Sequence, residues 1–273
     1  VCYRFISFLC KRCYAILQLV TNDEELLSLR MPLFRKNSSA KDFSTLGVDF
    51  HNHLLPGLDD GSPSLEESLK MLRLWVELGY RKVIATPHVN HAAYPNTKER
   101  ILGQMYNIQD VIEENDIPLE IEASAEYQLD SQFLYRMEAG ELMPIGEHKY
   151  LLIEFSFSPL SSSVEDILKA VLKAGYKPIL AHPERYNYLS SNYKKYDALK
   201  ESGLLFQLNM NSLNGTYGRQ AQKTAEHLIK ADMIEFACTD AHHAGHLMEV
   251  KKLLRNRIFL KLMGSGKLKN HLI

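Results

Sequence analysis

The chain has 273 residues, 45% hydrophobic and 24% charged, an ordinary globular mix long enough for one large α/β unit. Its 32 basic and 33 acidic residues give a net charge of -1, which argues against a nucleic-acid-binding face and against attachment to anionic lipid. Four cysteines, Cys2, Cys10, Cys13 and Cys238, are too few for a disulfide framework and suit a reducing cytoplasm.

In chain order, the first segment is apolar and mildly basic. Arg4, Lys11 and Arg12 interrupt its apolar runs, so no stretch reaches the roughly 20 residues that span a bilayer. No signal-peptide core with a small-residue cleavage site is evident, and stable membrane insertion is not expected. Met31-Pro32-Leu33-Phe34-Arg35-Lys36 looks like a natural start, which would make residues 1–30 an upstream extension that the working protein can lose. The rival reading is a short amphipathic anchor. Residues 36–45 read as a polar linker, so an extension over 1–46 and a single domain over 47–273 are expected.

From Leu46 onward, β-rich runs alternate with helical patterns. The strand candidates are 48–51, 82–86, 119–125, 150–155, 178–181, 204–210 and 234–239, most of them near-continuous apolar runs of the kind buried on both faces. Ser64-x-x-Glu67 is a capping box that opens a helix with Leu65, Leu69, Leu72 and Val76 on one face, ended by Gly79. Thr97 caps a second helix carrying Ile101, Met105, Ile108 and Ile112. Ser163 opens a third with Ile167, Val171 and Leu172 inside and Gly175 as its stop. Recurrence about every thirty residues fits βαβ units. An open sheet gathers functional residues at one switch point, whereas a parallel barrel brings the ends of all its strands to one mouth. Each candidate strand here is followed by a polar or charged residue, which favours an α/β fold built as a distorted, seven-stranded parallel (β/α)7 barrel with its site at the C-terminal mouth.

The residues at those strand ends are His51, His53, Asp60, His88, Glu126, Glu154, His182, Asp240 and His242. Each has a bland alternative: Asp60 as turn chemistry, His88 as an ordinary loop histidine, His51-x-His53 as two imidazoles that merely share a strand face. Glu126 and Glu154 are harder to dismiss, because each closes an apolar run where an unpaired carboxylate is costly to bury. Together the nine form an oxygen-and-nitrogen donor set suited to Mn²⁺, Zn²⁺ or Fe rather than to a thiolate zinc knot, and point to a metal-dependent hydrolase. His148 and His227 are expected to be structural or on the surface, while His91, His243 and His246 lie near the mouth. No cysteine is followed by arginine six positions later, so a cysteine-phosphatase loop is absent; no Gly-rich nucleotide motif occurs either.

His51-x-His53 with Asp60, Thr86-Pro87-His88, Ala125-Glu126-Tyr127, Ile153-Glu154-Phe155, Ala181-His182-Pro183-Glu184-Arg185-Tyr186 and Thr239-Asp240-Ala241-His242 resemble the polymerase-and-histidinol-phosphatase (PHP) superfamily. More closely they resemble the manganese-dependent protein-tyrosine phosphatases of bacterial capsule and exopolysaccharide clusters. The resemblance runs from about Gly47 to about Leu254. It implies three metal ions, Mn²⁺ first with Fe or Zn as alternatives. His51, His53 and Asp240 would surround one, Glu126 would bridge to a second completed by Glu154 and His182, and Asp60, His88 and His242 would hold the third. It further implies Arg185 as the phosphate-contacting, catalytic arginine, with Arg219 a second substrate-binding candidate at a helix start. The implied reaction is direct attack of metal-activated water on phosphorus without a covalent phosphoenzyme. The implied partner is a phosphotyrosine protein, the tyrosine-rich tail of a polysaccharide-synthesis tyrosine kinase. One departure stands out: relatives carry another arginine shortly after the Asp-x-His motif, where this chain has His243-Ala244-Gly245-His246.

Rival functions are a phosphatase of the same superfamily acting on a small ester such as histidinol phosphate, a barrel deoxyribonuclease, and a non-catalytic kinase-binding regulator. The absence of a basic groove signal counts against the nuclease. An amidohydrolase wants a lysine at the fourth strand's end, where Glu154 stands. The intact donor set counts against the silent regulator.

Overall fold

The computed structural model describes residues 40–157 and 164–273. The readings of residues 1–30, the linker up to 39, Cys2, Cys10, Cys13 and the Ser163 cap fall outside the described residues. Nine strands are seen: β1 (Val48–Asp49), β2 (Lys82–Ala85), β3 (His88–Val89), β4 (Glu120–Ala123), β5 (Glu126–Gln128), β6 (Tyr150–Glu154), β7 (Lys177–Ala181), β8 (Leu205–Asn209) and β9 (Phe236–Cys238). The helices between and after them are α1 (Leu65–Glu77), α2 (Lys98–Glu114), α3 (Phe133–Glu138), α4 (Val164–Lys173), α5 (Asn187–Ser190), α6 (Lys194–Glu201), α7 (Gly218–Lys230), α8 (Ala244–Lys251) and α9 (Arg257–Met263). Among the described residues no helix is long and apolar enough to cross a membrane.

Every strand pair is parallel, as the helical crossovers require. The hydrogen bonds make two sheets, β1-β2-β4 and β3-β5-β6-β7-β8-β9, rather than the single closed ladder expected. Two candidate strands are the reason. Pro87, which has no N–H to give, lies between β2 and β3, and Ser124 and Ala125 separate β4 from β5, so the chain shifts from one sheet to the other at both places. Alternating side chains of β6 enter two different apolar clusters, Tyr150 and Leu152 one, Leu151 and Ile153 the other, which explains the uninterrupted apolar run. The first cluster also takes Val48, Ile84, Ile179 and Phe236, and so joins both sheets. The same parity carries Glu154 beyond Leu152 and Asp240 beyond Phe236 and Cys238, placing both carboxylates on one end of that cluster.

Ser64 caps α1 by accepting from Glu67 N–H at 3.3 Å, and Thr97 caps α2 by accepting from Arg100 N–H at 3.4 Å. The four apolar residues expected inside on α2 are all buried. On α1 the buried face is rotated: Ser68, Met71, Leu72 and Trp75 face inward, while Leu65 is 46% exposed. Polar anchors decide the rotation, because Ser68 Oγ donates to Leu54 O at 2.7 Å and Trp75 Nε1 donates to Asp49 Oδ2 at 2.8 Å. On α4, Leu168 is buried in place of Leu172. Phe43 and Leu46, ahead of the expected domain start at Gly47, are buried, and Phe43 packs edge-on against Phe259.

Between β9 and β1, side chains do much of the work of a strand ladder. The buried Asp49 carboxylate accepts from Thr239 N–H at 3.1 Å, Thr239 Oγ1 at 2.5 Å and Trp75 Nε1 at 2.8 Å. Asn270 donates to Val48 O at 3.2 Å and Ala237 O at 2.8 Å and accepts from Ala237 N–H at 3.1 Å. Above them the backbone meets directly, Asp240 N–H donating to His51 O at 2.8 Å and His53 N–H to Ala241 O at 2.9 Å. Replacing Asp49 by Ala strands three buried donors. Urea denaturation should therefore show a loss of about 3 kcal/mol or more, and a change below about 1 kcal/mol would mean that Asp49 does not hold this seam.

Candidate metal centre

All nine strand-end residues converge. Their donor atoms form four overlapping groups: His53, Asp60, His88 and His242; His51, His53 and Glu126; His51, His182 and Asp240; His88, Glu126 and Glu154. The partition differs from the one the resemblance implies. Glu154 Oε1 lies 3.3 Å from His88 Nδ1 and so joins His88, while His182 falls in with His51 and Asp240. Glu126, at the start of β5, sits at the middle. Its Oε2 lies 3.3 Å from His51 Nε2, 3.6 Å from His53 Nε2 and 3.0 Å from His88 Nδ1, and its Oε1 lies 3.0 Å from His182 Nε2. None of these approaches is aligned as a hydrogen bond, and both Glu126 oxygens, His51 Nε2, His53 Nε2 and His88 Nδ1 are buried without such a partner. Buried polar atoms are rarely left so, and a cluster of them facing one space fits bound cations.

The surroundings aim the donors. Gln207 Oε1 accepts from His51 Nδ1 at 2.7 Å, and its amide donates to Leu208 O, which fixes the amide's orientation. Asp59 Oδ2 accepts from His53 Nδ1 at 2.7 Å, and Asp240 O accepts from His242 Nδ1 at 3.0 Å. In each ring the proton is held at Nδ1, which leaves the Nε2 lone pair for a cation. Asp240 is divided in the same way. Its Oδ2 accepts from Asn209 Nδ2 at 2.6 Å and Arg185 Nη1 at 2.8 Å, while Oδ1 faces His51 Nε2 at 3.3 Å and His53 Nε2 at 3.2 Å. His182 and Asp240 both adopt left-handed backbone, with φ of 37° and 49°, a strain typical of residues over-determined by a site. Gly61 is fixed by space: a Cβ there would stand 2.3 Å from His53 Cβ.

Asp60 differs from the others. It is 57% exposed, with Oδ1 at 3.6 Å from both His88 Nε2 and His242 Nε2, and closes the cluster on its solvent side. Arg185 stands beside the cluster, with its guanidinium 4.2 Å above the Tyr217 ring and 5.4 Å from the Phe157 ring. Arg219 is exposed at the start of α7, and Tyr217, two residues earlier, makes the contact to Arg185. The 3-10 turn Pro183–Arg185, which follows the left-handed His182, is braced by Glu184, whose Oε1 accepts from Asn209 N–H at 3.0 Å and Ser212 Oγ at 2.6 Å. Burial pushes the Glu184 carboxyl up to about 7.

Sequence reasoning missed Asp59, Gln207, Asn209 and Tyr217. Asp59 had a visible signal, since two adjacent aspartates precede Gly61 and one of them had to face inward. Gln207 had a weaker one, a polar residue inside an apolar strand.

Burial and neighbouring charges oppose each other at the donors. Burial alone would depress the histidines, but Asp59 beside His53 raises its imidazole to about 10, and Glu126 and Glu154 raise His88 to about 12. Burial would likewise raise Asp59, yet His53 and the N–H groups of His88 and Gly61 bring it down to about 2. Burial and the neighbouring His53 charge push His242 down to about 4. Glu126 and Asp240 are held well below the usual carboxylate range by the imidazoles around them, against burial.

Residues 47–257 match the family model described as capsular polysaccharide synthesis, CpsB/CapC. The chain is similar to the tyrosine-protein phosphatase YwqE of Bacillus subtilis, 31% identical over 196 residues that cover 72% of this chain and 77% of YwqE. It is 27% identical to the tyrosine-protein phosphatase CpsB of Streptococcus pneumoniae over 203 residues, 72% of this chain and 83% of CpsB. A solved structure from work on YwqE and CpsB, called unique metal-dependent tyrosine phosphatases, superposes with a TM-score of 0.72 and 29% identity over 80% of this chain and 90% of that one.

Cation binding requires unprotonated imidazoles, so loading the chelator-treated protein should release protons at pH 7. Calorimetric titration with Mn²⁺ in two buffers of different ionisation heat should report about one or more protons released per chain; identical heats in both buffers would contradict the assignment of protons to His53 and His88. The sign for stability follows. A raised histidine pKa stabilises the metal-free fold fully below its ordinary value of 6.5, and that contribution is lost as pH rises toward about 10 for His53. The melting temperature of metal-free protein should accordingly fall between pH 6.5 and 9.

Proposed function

The chain belongs to the capsular polysaccharide synthesis family CpsB/CapC, and from that premise we propose that it is a metal-dependent protein-tyrosine phosphatase. The observation that carries the reading is the convergence of nine oxygen and nitrogen donor residues, all but Asp60 buried or partly buried, with unpartnered atoms facing one space, beside an arginine. We read His51, His53, Asp60, His88, Glu126, Glu154, His182, Asp240 and His242 as the ligands of Mn²⁺, three ions per chain. The two sheets are read as one distorted (β/α)7 barrel interrupted after β2 and β4. When bound, the ions supply an activated water and positive charge for the phosphoryl oxygens.

The chain's own residues then do the rest. Asp59, Gln207 and the Asp240 carbonyl hold the imidazole protons away from the ligand atoms, so each ring keeps a lone pair for the ion. Arg185 is held by Asp240 at one nitrogen and by Tyr217 beneath its plane, and its remaining N–H donors can turn to the equatorial oxygens of the phosphoryl group. Arg219 stays a further substrate contact from the start of α7. The physiological substrate proposed is the tyrosine-rich tail of a polysaccharide-synthesis tyrosine kinase, met in the cytoplasm, with no role for nucleic acid.

Cys238 is buried in β9, with its thiol pushed well up by burial, and takes no part in this chemistry. Chelation should abolish hydrolysis of an aryl phosphate, Mn²⁺ should restore it, and Cys238→Ala should leave it largely intact. Loss of turnover in a folded Cys238→Ala protein would overturn the reading.

Arg185→Ala should lower kcat and kcat/KM together, by on the order of 10²–10³-fold, as for loss of one transition-state donor. Arg185→Lys should not restore the rate, because the planar fork is gone. An effect confined to KM would make Arg185 a ground-state contact only.

A further inference from the structure

Phe157 lies three residues beyond Glu154 and is left 56% exposed, although its neighbours Phe155 and Tyr186 are fully packed. It is not an isolated surface ring. Its centroid is 5.5 Å from Tyr186 and 6.1 Å from the His182 imidazole, nearly parallel to the latter at 17°, and the Arg185 guanidinium carbon is 5.4 Å away. Arg185 is therefore flanked by two aromatic rings of different character. Tyr217 is half-buried and lies closer, at 4.2 Å, whereas Phe157 keeps open surface toward solvent.

We propose that Phe157 is the residue that selects aryl over alkyl phosphates, by stacking against the substrate's phenol ring while Arg185 and the donor cluster hold its phosphoryl group. The inference rests on the phosphatase reading and deepens it. With the Arg185 guanidinium 5.4 Å from the Phe157 ring, the aryl ring of a phosphate ester held by Arg185 can come within the centroid separations of about 4.5–7 Å at which aromatic pairs interact. A serine or threonine phosphate places only an aliphatic carbon there and gains no ring contact. Phe157 makes ring contacts to His182 and Tyr186 but supplies no donor atom to the cluster, so Mn²⁺ content and melting temperature of Phe157→Ala are measured alongside to separate loss of a ring contact from disturbance of His182.

The test compares two non-hydrolysable probes, phenylphosphonate and methylphosphonate, by calorimetric titration of the Mn²⁺-loaded full chain. The unsubstituted protein should bind the phenyl compound more tightly. Phe157→Ala should lower that preference by about 10-fold, and Phe157→Trp should retain it. An unchanged preference in Phe157→Ala, or equal weakening of both probes, overturns the role of Phe157. Turnover of p-nitrophenyl phosphate by the unsubstituted protein is measured alongside. No turnover with the preference still lost on truncation would count against the phosphatase reading and in favour of the aryl platform. Turnover with an unchanged preference would do the reverse.

Discussion

Glu126 is the constraint around which the rest is arranged. A fully buried carboxylate with no hydrogen bond to either oxygen is untenable unless positive charge faces it, and the ligand atoms of four imidazoles, drawn from three parts of the chain, converge on it. Each of those imidazoles must in turn be aimed, which accounts for Asp59 behind His53 and Gln207 behind His51. Gly61 has no side chain because His53 occupies that space. The parallel strands serve this end: they deliver one polar residue each to a common plane and bury the remainder of their length.

The same logic separates the site's two sides. Toward the interior, Asp240 is tied by Asn209 and Arg185, and Glu184 ties the neighbouring loop through Asn209 and Ser212, so that one connected polar network runs from β7 through β8 to β9. Toward solvent lie Asp60 and Phe157, with Arg185 partly exposed between the two sides. His246 lies four residues after His242, and its Nδ1 accepts from His242 N–H at 3.3 Å. Burial and the adjacent His243 lower its basicity, in keeping with a neutral ring that accepts this bond and braces His242.

Much of this was legible in the chain because burial leaves marks. Seven apolar runs, the capping residues Ser64 and Thr97, and carboxylates closing apolar stretches identified strands, helices and the residues that meet at the site. What escaped has a common cause: it depends on partners far away in sequence. The rotation of α1 follows from Trp75 reaching Asp49, which the spacing of Leu65, Leu69, Leu72 and Val76 cannot reveal. Gln207 and Asn209 act on His51 and Asp240 through distances of 156 and 31 residues. The division into two sheets turns on where Pro87 and Ser124-Ala125 interrupt pairing, a matter of register rather than of composition. Asp60 is the aspartate that the sequence singles out, and the inward role of Asp59 depends on the turn at Gly61, which aims it at His53.

The seam between the first and last strands has a consequence for how the molecule comes into being. Asp49 is joined to Thr239 across 190 residues, and Asn270 to Val48 across 222. A chain emerging from the ribosome can form α1, α2 and their strands early, yet His51 and Asp240 meet only after nearly the whole polypeptide has been made. Closure over such separations is slow, because loop entropy must be overcome before any contact rewards it. Until then, the half-built mouth exposes histidines and carboxylates without their counter-charges. The centre therefore cannot be completed before residue 240 has been made, nor the seam beneath it before residue 270.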